Sequence, residues 1–250
     1  MRNVNLIPMA GAGQRFVDEG YTVPKPLIEV DGEPMIIKAA ECLPPADHWI
    51  FICRKEHVVE HGIDEKLKKL FPCSDIISVG YLTEGQASTC LLARDHLQAQ
   101  DRLTIGACDN AMEYSQSNFK NHIAEYDALV WTFRNNPTVI ENPKMYGWVQ
   151  LWDDGRAKKI SCKQPISENP LQDHALIGAF SFREAGVFIK SVDSMIAKNR
   201  RINNEFYMDV AMDECIRMDY DVRPMEVNNY TCWGTPEDLE KYKNKKKNAN

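Results

Sequence analysis

The stretch Val4-Asn5-Leu6-Ile7-Pro8-Met9-Ala10-Gly11-Ala12-Gly13 decides the fold of this chain of 250 residues. Its apolar residues 4–9 predict a buried first strand, and residues 10–13 predict a glycine-rich turn directly after that strand. Gly11 and Gly13 allow positive φ angles and a close approach of the backbone to a ligand. Consecutive backbone N–H groups in such a turn can point at phosphate oxygens. The stretch therefore predicts a phosphate-binding loop at the end of a strand.

Short apolar segments alternate with helical patterns in the N-terminal half. We predict an extended segment at residues 25–30, strands at residues 49–53, 76–81 and 102–107, and helices at residues 34–42, 64–70 and 88–97. This alternation indicates an α/β domain with a largely parallel sheet. Ligands bind such sheets outside the carboxyl ends of the strands. The glycine turn and Asp109 both follow predicted strands, so we expect them at one edge of the sheet.

The C-terminal half predicts further strands and helices of the same domain. The strands are predicted at residues 128–133, 146–152, 158–162, 176–182 and 222–227, and the helices at residues 184–197 and 206–218. A turn at residues 153–155 joins two of these strands. Residues 1–240 are thus predicted to form one domain, and residues 241–250, rich in Lys and Asn, to form a basic disordered tail.

Composition and charge limit the classes of partner that we expect this chain to bind. The formal net charge is -6, and such an acidic chain lacks the basic face that non-specific nucleic-acid binding needs. No segment is apolar for long enough to span a bilayer, so we expect a soluble, cytoplasmic protein without a membrane partner. None of the eight cysteines sits in a Cys-x-x-Cys pair. We interpret them as buried free thiols in a reducing compartment.

Positive charge near the glycine turn comes from Arg15 and Lys25. A triphosphate needs such positive charge. Alternatively, Arg15 and Lys25 are ordinary surface charges. No Gly-Lys-Ser/Thr follows the turn, which excludes a Walker P-loop. A third glycine is also missing from its place, which excludes the dinucleotide-binding fingerprint.

The segment from Ile7 to Phe16, followed by Pro24-Lys25-Pro26-Leu27, resembles the signature of the sugar-phosphate nucleotidyltransferases. Further matches follow in order along almost the whole chain: Thr83-Glu84-Gly85-Gln86-Ala87, Asp109, Tyr146-Gly147-Trp148-Val149, Lys163-Gln164-Pro165, Asn204-Glu205-Phe206-Tyr207 and Gly234-Thr235-Pro236-Glu237-Asp238-Leu239. Ordered matches of this kind are more specific than any one motif.

The resemblance implies a fold and a reaction. The expected fold is α/β, a single Rossmann-like nucleotidyltransferase domain of GT-A type, with a mostly parallel mixed sheet flanked by helices. The implied reaction joins a nucleoside triphosphate to a phosphate monoester, such as a sugar phosphate, and releases pyrophosphate. The product would be an activated precursor for surface polysaccharide, such as capsule or lipopolysaccharide.

The resemblance also implies roles for individual residues. Arg15 and Lys25 would be catalytic, with Arg15 stabilising charge on the departing pyrophosphate and Lys25 charge near the α-phosphate. Asp109 would hold Mg²⁺, a hard ion that prefers carboxylate and phosphate oxygens. The expected nucleotide-binding residues are Met9, Ala10, Gly11, Ala12, Gly13, Gly85, Gln86 and Asp109. The expected acceptor-binding residues are Asn110, Tyr146, Gly147, Lys163 and Glu205.

Other interpretations of several of these residues stay open. Asp109 alternatively caps a helix, and Gln86 is alternatively a plain turn residue. Lys163 is alternatively a solvated charge, and Tyr146 a core aromatic.

Two cysteines depart from the family pattern. Cys232 stands where many members carry a second metal-binding aspartate, and a thiol is a poor Mg²⁺ ligand. Asp109 with phosphates and waters would then hold the metal, or Glu205 or Asp209 would reach it, or the protein would bind nucleotide without turnover. Cys162 stands in place of the glutamate before the conserved lysine, which leaves the acceptor open.

The alternative functions are a GT-A-type glycosyltransferase and a non-catalytic nucleotide-binding protein. The short base-recognition loop favours CTP or UTP over GTP. The sequence leaves open whether the chain forms a homo-oligomer.

Overall fold

A mixed β-sheet with helices on both faces forms the centre of the molecule in the computed structural model, which describes residues 1–248. The strands are β1 Asn3–Met9, β2 Glu29–Val30, β3 Glu33–Pro34, β4 His48–Arg54, β5 Ser74–Val79, β6 Arg102–Ile105, β7 Asn110–Glu113, β8 Ala128–Phe133, β9 Gly147–Leu151, β10 Ala157–Cys162, β11 His174–Phe182, β12 Val222–Glu226 and β13 Asn229–Cys232.

The helices lie between and around these strands. They are α1 Gln14–Asp18, α2 Met35–Glu41, α3 Lys55–His61, α4 Ile63–Leu70, α5 Gln86–Leu91, α6 Gln116–Glu125, α7 Thr138–Glu141, α8 Ala185–Ala197, α9 Met208–Arg217 and α10 Pro236–Lys247. Short 3-10 helices occur at Lys25–Leu27, Arg94–His96 and Pro143–Met145.

The order of strands in the main sheet is β10-β9-β11-β6-β1-β4-β5, and β8 pairs with both β11 and β12. Strand β1 runs parallel to β4 and β6, and β4 runs parallel to β5. The antiparallel pairs involve β9, β10 and β11. The predicted α/β fold with a mixed, mostly parallel sheet is confirmed, and its N-terminal half is the parallel part.

Strand β1 is buried on both faces, as its apolar sequence predicts. Leu6 belongs to the core cluster that includes Ile50 and Phe180. Its neighbour Ile7 belongs to a second cluster with Trp131. Successive strand residues point to opposite faces, so helices must cover both sides of this strand, as they do in parallel α/β sheets.

A small second sheet joins a strand near the C-terminus to a strand from the middle of the chain. Strand β13 pairs antiparallel with β7, and Cys232 lies opposite Asn110. Neither of these four-residue strands was predicted. The pairing depends on contacts between segments far apart in the chain, which local sequence patterns do not reveal.

The structure corrects three local predictions. The segment expected to be extended at residues 25–30 begins as a 3-10 helix, Lys25–Leu27, since its proline is compatible with the first turn of a helix. The helix expected at residues 88–97 begins earlier and ends at Leu91. The cysteines are free and mostly buried or half-buried, but Cys73 is exposed.

The tail predicted to be disordered from Lys241 instead continues helix α10 to Lys247. Thr235 caps the helix by accepting a hydrogen bond from the backbone N–H of Asp238 at 3.1 Å, and such caps stabilise a helix by about 1 kcal/mol. Leu239 is fully buried. Residues 249–250 of the predicted tail lie outside the described residues. No helix among residues 1–248 combines the length and the apolar character that a bilayer crossing requires.

Candidate active site

The glycine turn forms one wall of a cleft of about 430 Å³ at the carboxyl ends of the parallel strands. The residues that line this cleft are Pro8, Met9, Ala10, Gly11, Ala12, Gly13, Lys25, Pro26, Leu82, Thr83, Gly85, Gln86, Thr89, Cys108 and Glu205. The structure therefore brings together the glycine turn, Lys25, Gly85 and Gln86, which the sequence placed in one nucleotide site.

Gly13 sets the shape of the turn. Its φ of 64° lies in the left-handed region, which glycine adopts without the steric cost of a Cβ. A Cβ at this position would also lie 3.2 Å from Cβ of Lys25. Glycine at residue 13 thus lets the turn enter α1 while Lys25 packs against it.

Lys25, which lines the cleft, forms an ion pair with Asp109. The distance between Lys25 Nζ and Asp109 Oδ2 is 2.5 Å, and both side chains are partly shielded from water. Burial by itself lowers the pKa of Lys25, but the neighbouring Asp109 carboxylate raises that pKa to about 12. Lys25 is therefore positively charged near pH 7, beside the glycine turn.

Gly85 holds another wall of the cleft against Phe206, in the segment that precedes helix α9. The backbone N–H of Phe206 donates to the carbonyl oxygen of Glu84 at 2.7 Å, and that of Ala87 donates to the Phe206 carbonyl at 2.9 Å. Gly85 has a φ of 122°, and a Cβ there would lie 2.7 Å from backbone atoms of Phe206. Only glycine fits this close approach, which positions Gln86 at the first residue of α5.

Cys232 lies beside Asp109, where the family resemblance expects a second aspartate. A Cβ on Gly234 would be 3.2 Å from Asp109 Oδ2 and 3.3 Å from Cys232 Sγ, so both side chains flank this glycine. Burial raises the pKa of the Cys232 thiol to about 12. The thiol is consequently neutral near pH 7 and does not act as a Mg²⁺ ligand.

The residues around Asp109 would hold a magnesium ion only together with the phosphates of a bound substrate. Within residues 1–248, no group of three His, Cys, Asp or Glu side chains is placed to hold a metal ion. Mg²⁺ sites in such enzymes use one or two carboxylates together with substrate phosphates and waters. Asp109, with a side chain that is 25% exposed, can supply one such carboxylate.

Arg15 lies apart from the cleft that Lys25 lines. It is exposed on the short helix α1 and lines a neighbouring cavity with Tyr146, Asp238 and Lys241. The sequence placed Arg15 and Lys25 in a single pocket, and in the structure they line two different cavities.

The predicted acceptor residues fall into different surroundings. Asn110 is buried, and its Nδ2 donates to the carbonyl oxygen of Ile177 at 2.7 Å, which occupies this donor within the fold. Tyr146 is half-buried, and its hydroxyl lies 3.4 Å from Thr138 Oγ1. Glu205 lines the same cleft as the glycine turn.

Lys163 is held in an uncommon backbone conformation. Its φ is 58°, in a region that non-glycine residues rarely adopt and that often marks a functional position. Its Nζ donates to the hydroxyl of Tyr207 at 2.6 Å and lies 4.5 Å from the centre of that ring. Lys163 is thus not a freely solvated charge, and its ammonium is directed toward the start of α9.

Sequence reasoning missed several residues of the site. Leu82 and Cys108 line the cleft beside the glycine turn. Leu82 lies shortly before Gly85, and Cys108 lies directly before Asp109. These positions beside predicted site residues were the only sign in the sequence that they line the cleft. Asp209, which the sequence offered only as a possible metal ligand, lies against Gly147: a Cβ on Gly147 would collide with the Asp209 carboxylate and would come within 2.6 Å of Leu176 Cδ1. The contact joins segments more than 60 residues apart, which no local pattern indicates.

A cleft with a glycine turn and a Lys–Asp pair, at the carboxyl ends of parallel strands, defines a nucleotide-handling α/β enzyme. Residues 4–247 match the family described as Nucleotidyl transferase, and the chain belongs to that family of enzymes. The predicted family and enzyme class are confirmed. A search of curated proteins finds none that matches the chain.

Solved structures of low sequence identity share the fold. A nucleoside-diphosphate-sugar pyrophosphorylase from Vibrio cholerae RC9 is 19% identical, with a TM-score of 0.77 and coverage of 95% of this chain and 98% of that one. The inositol-1-phosphate CTP transferase from T. maritima is 14% identical, with a TM-score of 0.74 and coverage of 97% and 94%. HddC from Yersinia pseudotuberculosis, complexed with GMP-PN, is 16% identical, with a TM-score of 0.67 and coverage of 98% and 99%.

Proposed function

We propose that this chain joins a nucleoside triphosphate to a phosphate monoester and releases pyrophosphate. The observation that carries the proposal is the ion pair between Lys25 and Asp109, 2.5 Å apart, in which Lys25 lines the same cleft as the glycine turn. A fixed cation and a carboxylate beside backbone N–H groups match the needs of phosphoryl chemistry, in which positioning and charge neutralisation supply most of the catalysis.

In the proposed reaction, an oxygen of the acceptor phosphate attacks the α-phosphorus in line. The new P–O bond forms as the bond between the α-phosphorus and its bridging oxygen to the β-phosphate breaks, and pyrophosphate leaves with that electron pair. Met9 to Gly13 would bind the triphosphate through the backbone. Lys25 would stabilise charge at the α-phosphate, and Gly85 with Gln86 would contact the base.

Arg15 would stabilise the departing pyrophosphate from the adjoining cavity. It is exposed and follows the glycine turn by two residues, so a triphosphate that extends from the cleft beyond the turn would meet its guanidinium. Guanidinium groups bind phosphate oxygens strongly through paired hydrogen bonds. Its exposure leaves that hydrogen-bonding capacity available to a ligand.

Asp109 would hold a Mg²⁺ ion, which when bound neutralises phosphate charge near the site of attack. The acceptor would lie on the side of Tyr146, Gly147 and Lys163. We favour CTP or UTP as the nucleotide because the loop at Gly85 and Gln86 is short. The product would be a nucleotide-activated sugar or alcohol phosphate of the type that surface polysaccharide synthesis consumes.

Pyrophosphate release tests this function directly. The purified chain is incubated with Mg²⁺, each of ATP, GTP, CTP and UTP, and a set of phosphate monoesters. Pyrophosphate that appears only when a nucleotide and an acceptor are both present supports the proposal. Nucleoside diphosphate released from a nucleotide sugar would instead indicate a glycosyltransferase, and nucleotide binding without turnover would indicate a non-catalytic protein.

A further inference from the structure

Arg201 connects the turn between α8 and α9 to one wall of the nucleotide cleft. Its Nη2 donates to Glu84 Oε1 at 2.9 Å, across 117 positions of the chain. Glu84 directly precedes Gly85 and Gln86, which both line the cleft, whereas Arg201 lines a separate cavity. The contact therefore links a residue outside the cleft to the loop that the proposed function assigns to the base of the nucleotide.

The guanidinium of Arg201 is held by partners on several sides. Nε donates to Asn199 Oδ1 at 2.6 Å, and Nη1 donates to the carbonyl oxygen of Asn204 at 3.2 Å. The guanidinium carbon lies 3.9 Å from the centre of the Phe206 ring, a distance at which an aromatic face attracts a cation. Each nitrogen of the guanidinium thus has a partner, and the direction in which Nη2 meets Glu84 is defined.

The backbone of the α8–α9 turn brings Arg201 to this position. Three asparagines of the turn have φ angles between 48° and 64°, in the left-handed region that asparagine adopts more readily than most residues. They are Asn199, Asn203 and Asn204. The backbones of Ile202 and Glu205 exchange two hydrogen bonds, of 3.0 and 2.9 Å. These bonds close the turn directly after Arg201 and lead the chain into Glu205, which lines the cleft.

The loop at Gly85 is fixed on its inner side by other contacts, so Arg201 acts on its outer side. The hydroxyls of Thr83 and Thr89 donate to the Gly85 carbonyl oxygen at 3.2 and 3.0 Å. The side chain of Glu84 is 65% exposed, and that of Arg201 is 27% exposed. Ion pairs at such exposure contribute little to the stability of a fold. Loss of this pair should therefore loosen the loop without unfolding the protein.

We propose that Arg201 is a positioning residue for the nucleotide, because it holds Glu84 so that Gly85 and Gln86 keep the geometry that receives the base. This inference rests on the function proposed above. A loop that is rigid before binding loses less conformational freedom when the ligand binds, which increases affinity. Loss of Arg201 should accordingly weaken nucleotide binding and leave the chemical step unchanged.

Direct nucleotide binding tests this inference. The native chain and Arg201→Ala are titrated by calorimetry with each of ATP, GTP, CTP and UTP in the presence of Mg²⁺ and without an acceptor. The Kd of the nucleotide that the native chain binds best should rise roughly 3- to 30-fold in Arg201→Ala, the combined effect of one exposed ion pair and one cation–π contact. The control Arg134→Ala removes an exposed arginine that pairs with Glu226 at 2.7 Å and should leave this Kd unchanged.

Steady-state pyrophosphate release separates positioning from a general structural effect. In Arg201→Ala the KM of the nucleotide should rise with its Kd, whereas kcat should stay within about twofold of the native value. Arg201→Lys keeps the positive charge and should recover part of the lost affinity.

A double-mutant cycle shows whether Arg201 acts through Glu84. Glu84→Gln removes the ion pair but not the stacking on Phe206, so it should raise the nucleotide Kd by roughly 2- to 5-fold. If the two residues act together, their effects are not additive. The double variant should then bind the nucleotide about as weakly as Arg201→Ala alone.

A native nucleotide Kd in folded Arg201→Ala, or fully additive effects of the two substitutions, would overturn this inference and leave the proposed function intact. If Arg201→Ala does not fold, Glu84→Gln decides, because Glu84 is mostly exposed. An unchanged Kd in that variant would overturn the inference. A native chain that binds none of the four nucleotides would contradict the proposed function and this inference together.

Discussion

Lys25 Nζ lies 2.5 Å from Asp109 Oδ2, although the two residues are 84 positions apart in the chain. Lys25 opens a 3-10 helix after the glycine turn, and Asp109 follows the central strand β6. Strands β1 and β6 are parallel neighbours, so their carboxyl ends meet at one edge of the sheet. The order of the strands therefore brings Lys25 and Asp109 together at this edge of the sheet.

Removing the guanidinium of Arg15 should slow the reaction without affecting the fold. Loss of one electrostatic group that acts on a transition state costs about 10² to 10³ in kcat. Arg15 is exposed, so Arg15→Ala should unfold at the same temperature as the native chain. Steady-state pyrophosphate release measures the effect. A kcat near the native value would contradict the role proposed for Arg15, and Arg156→Ala, at an exposed arginine in the β9–β10 turn, is the matched control.

Gly85→Ala should weaken nucleotide binding and destabilise the protein. The new Cβ would lie 2.7 Å from the backbone of Phe206, in a conformation that costs non-glycine residues about 1–3 kcal/mol even without a clash. We expect a lower free energy of unfolding and a higher KM for the nucleotide.

The variant Gly20→Ala separates the cost of the backbone conformation from the cost of the contact with Phe206. Gly20 has a φ of 83°, but a Cβ there meets no atom within 4 Å. This control should therefore show only the conformational cost of about 1 kcal/mol. Equal destabilisation of the two variants in urea titrations would show that the contact with Phe206 does not constrain Gly85.

Glu214 should make stability depend on acid pH. It is fully buried and accepts hydrogen bonds from Ser194 at 2.7 Å and from Arg200 at 2.5 Å, with Lys198 as a further partner. Burial alone raises the pKa of Glu214, but these partners more than offset burial and lower it from 4.5 to about 2. A shift of this size corresponds to roughly 3 kcal/mol of stability.

Because the pKa of Glu214 is depressed in the folded state, this contribution is present above pH 4.5 and is lost as the pH falls toward 2. The native chain should be more stable than Glu214→Gln at pH 7, and the difference should shrink below pH 4.5 in urea titrations. Glu240→Gln removes an exposed partner of Lys243 and should change stability by less than about 1 kcal/mol at either pH. A constant difference between native and Glu214→Gln across this range would refute the linkage.

Cys232→Asp should lower the Mg²⁺ concentration that gives half-maximal activity. The new carboxylate would lie beside Asp109 across Gly234, and two carboxylates bind Mg²⁺ more tightly than one. Cys232→Ser, which adds no charge, should leave the Mg²⁺ dependence close to native. A Mg²⁺ titration of pyrophosphate release distinguishes the two, and identical titrations for both variants would show that position 232 does not face the metal.

The sequence predicted the local parts of the site well. The apolar run of β1, the glycine turn and the position of Asp109 after a strand depend on neighbouring residues, so patterns in the sequence reveal them. The direct contact of Lys25 with Asp109 and the pairing of Cys232 with Asn110 depend on the order of the strands. Local patterns also did not reveal that Glu205 faces the nucleotide cleft or that Asp209 faces Gly147, because the start of α9 packs against distant segments.

The prediction of a disordered tail from Lys241 was wrong for a different reason. Its sequence from Lys241 onward is dominated by Lys and Asn, which suggests a frayed tail. In the structure, Lys241 pairs with Glu141 on α7 at 2.7 Å and with Glu237 at 2.9 Å, and Tyr242 donates to Asp31 at 2.6 Å. Partners elsewhere in the chain stabilise the helix, and these are not visible in the tail itself.

Pyrophosphate release by the native chain and by Lys25→Ala tests the central claim most directly. Both proteins are assayed with Mg²⁺, the four nucleoside triphosphates and a set of phosphate monoesters, with Lys69→Ala, at an exposed lysine of α4, as the control. We predict acceptor-dependent pyrophosphate from the native and control proteins and a kcat about 10² to 10³ lower in Lys25→Ala. Acceptor-dependent release that is equally fast in Lys25→Ala, or no release from the native chain with any pair of substrates, would contradict the claim.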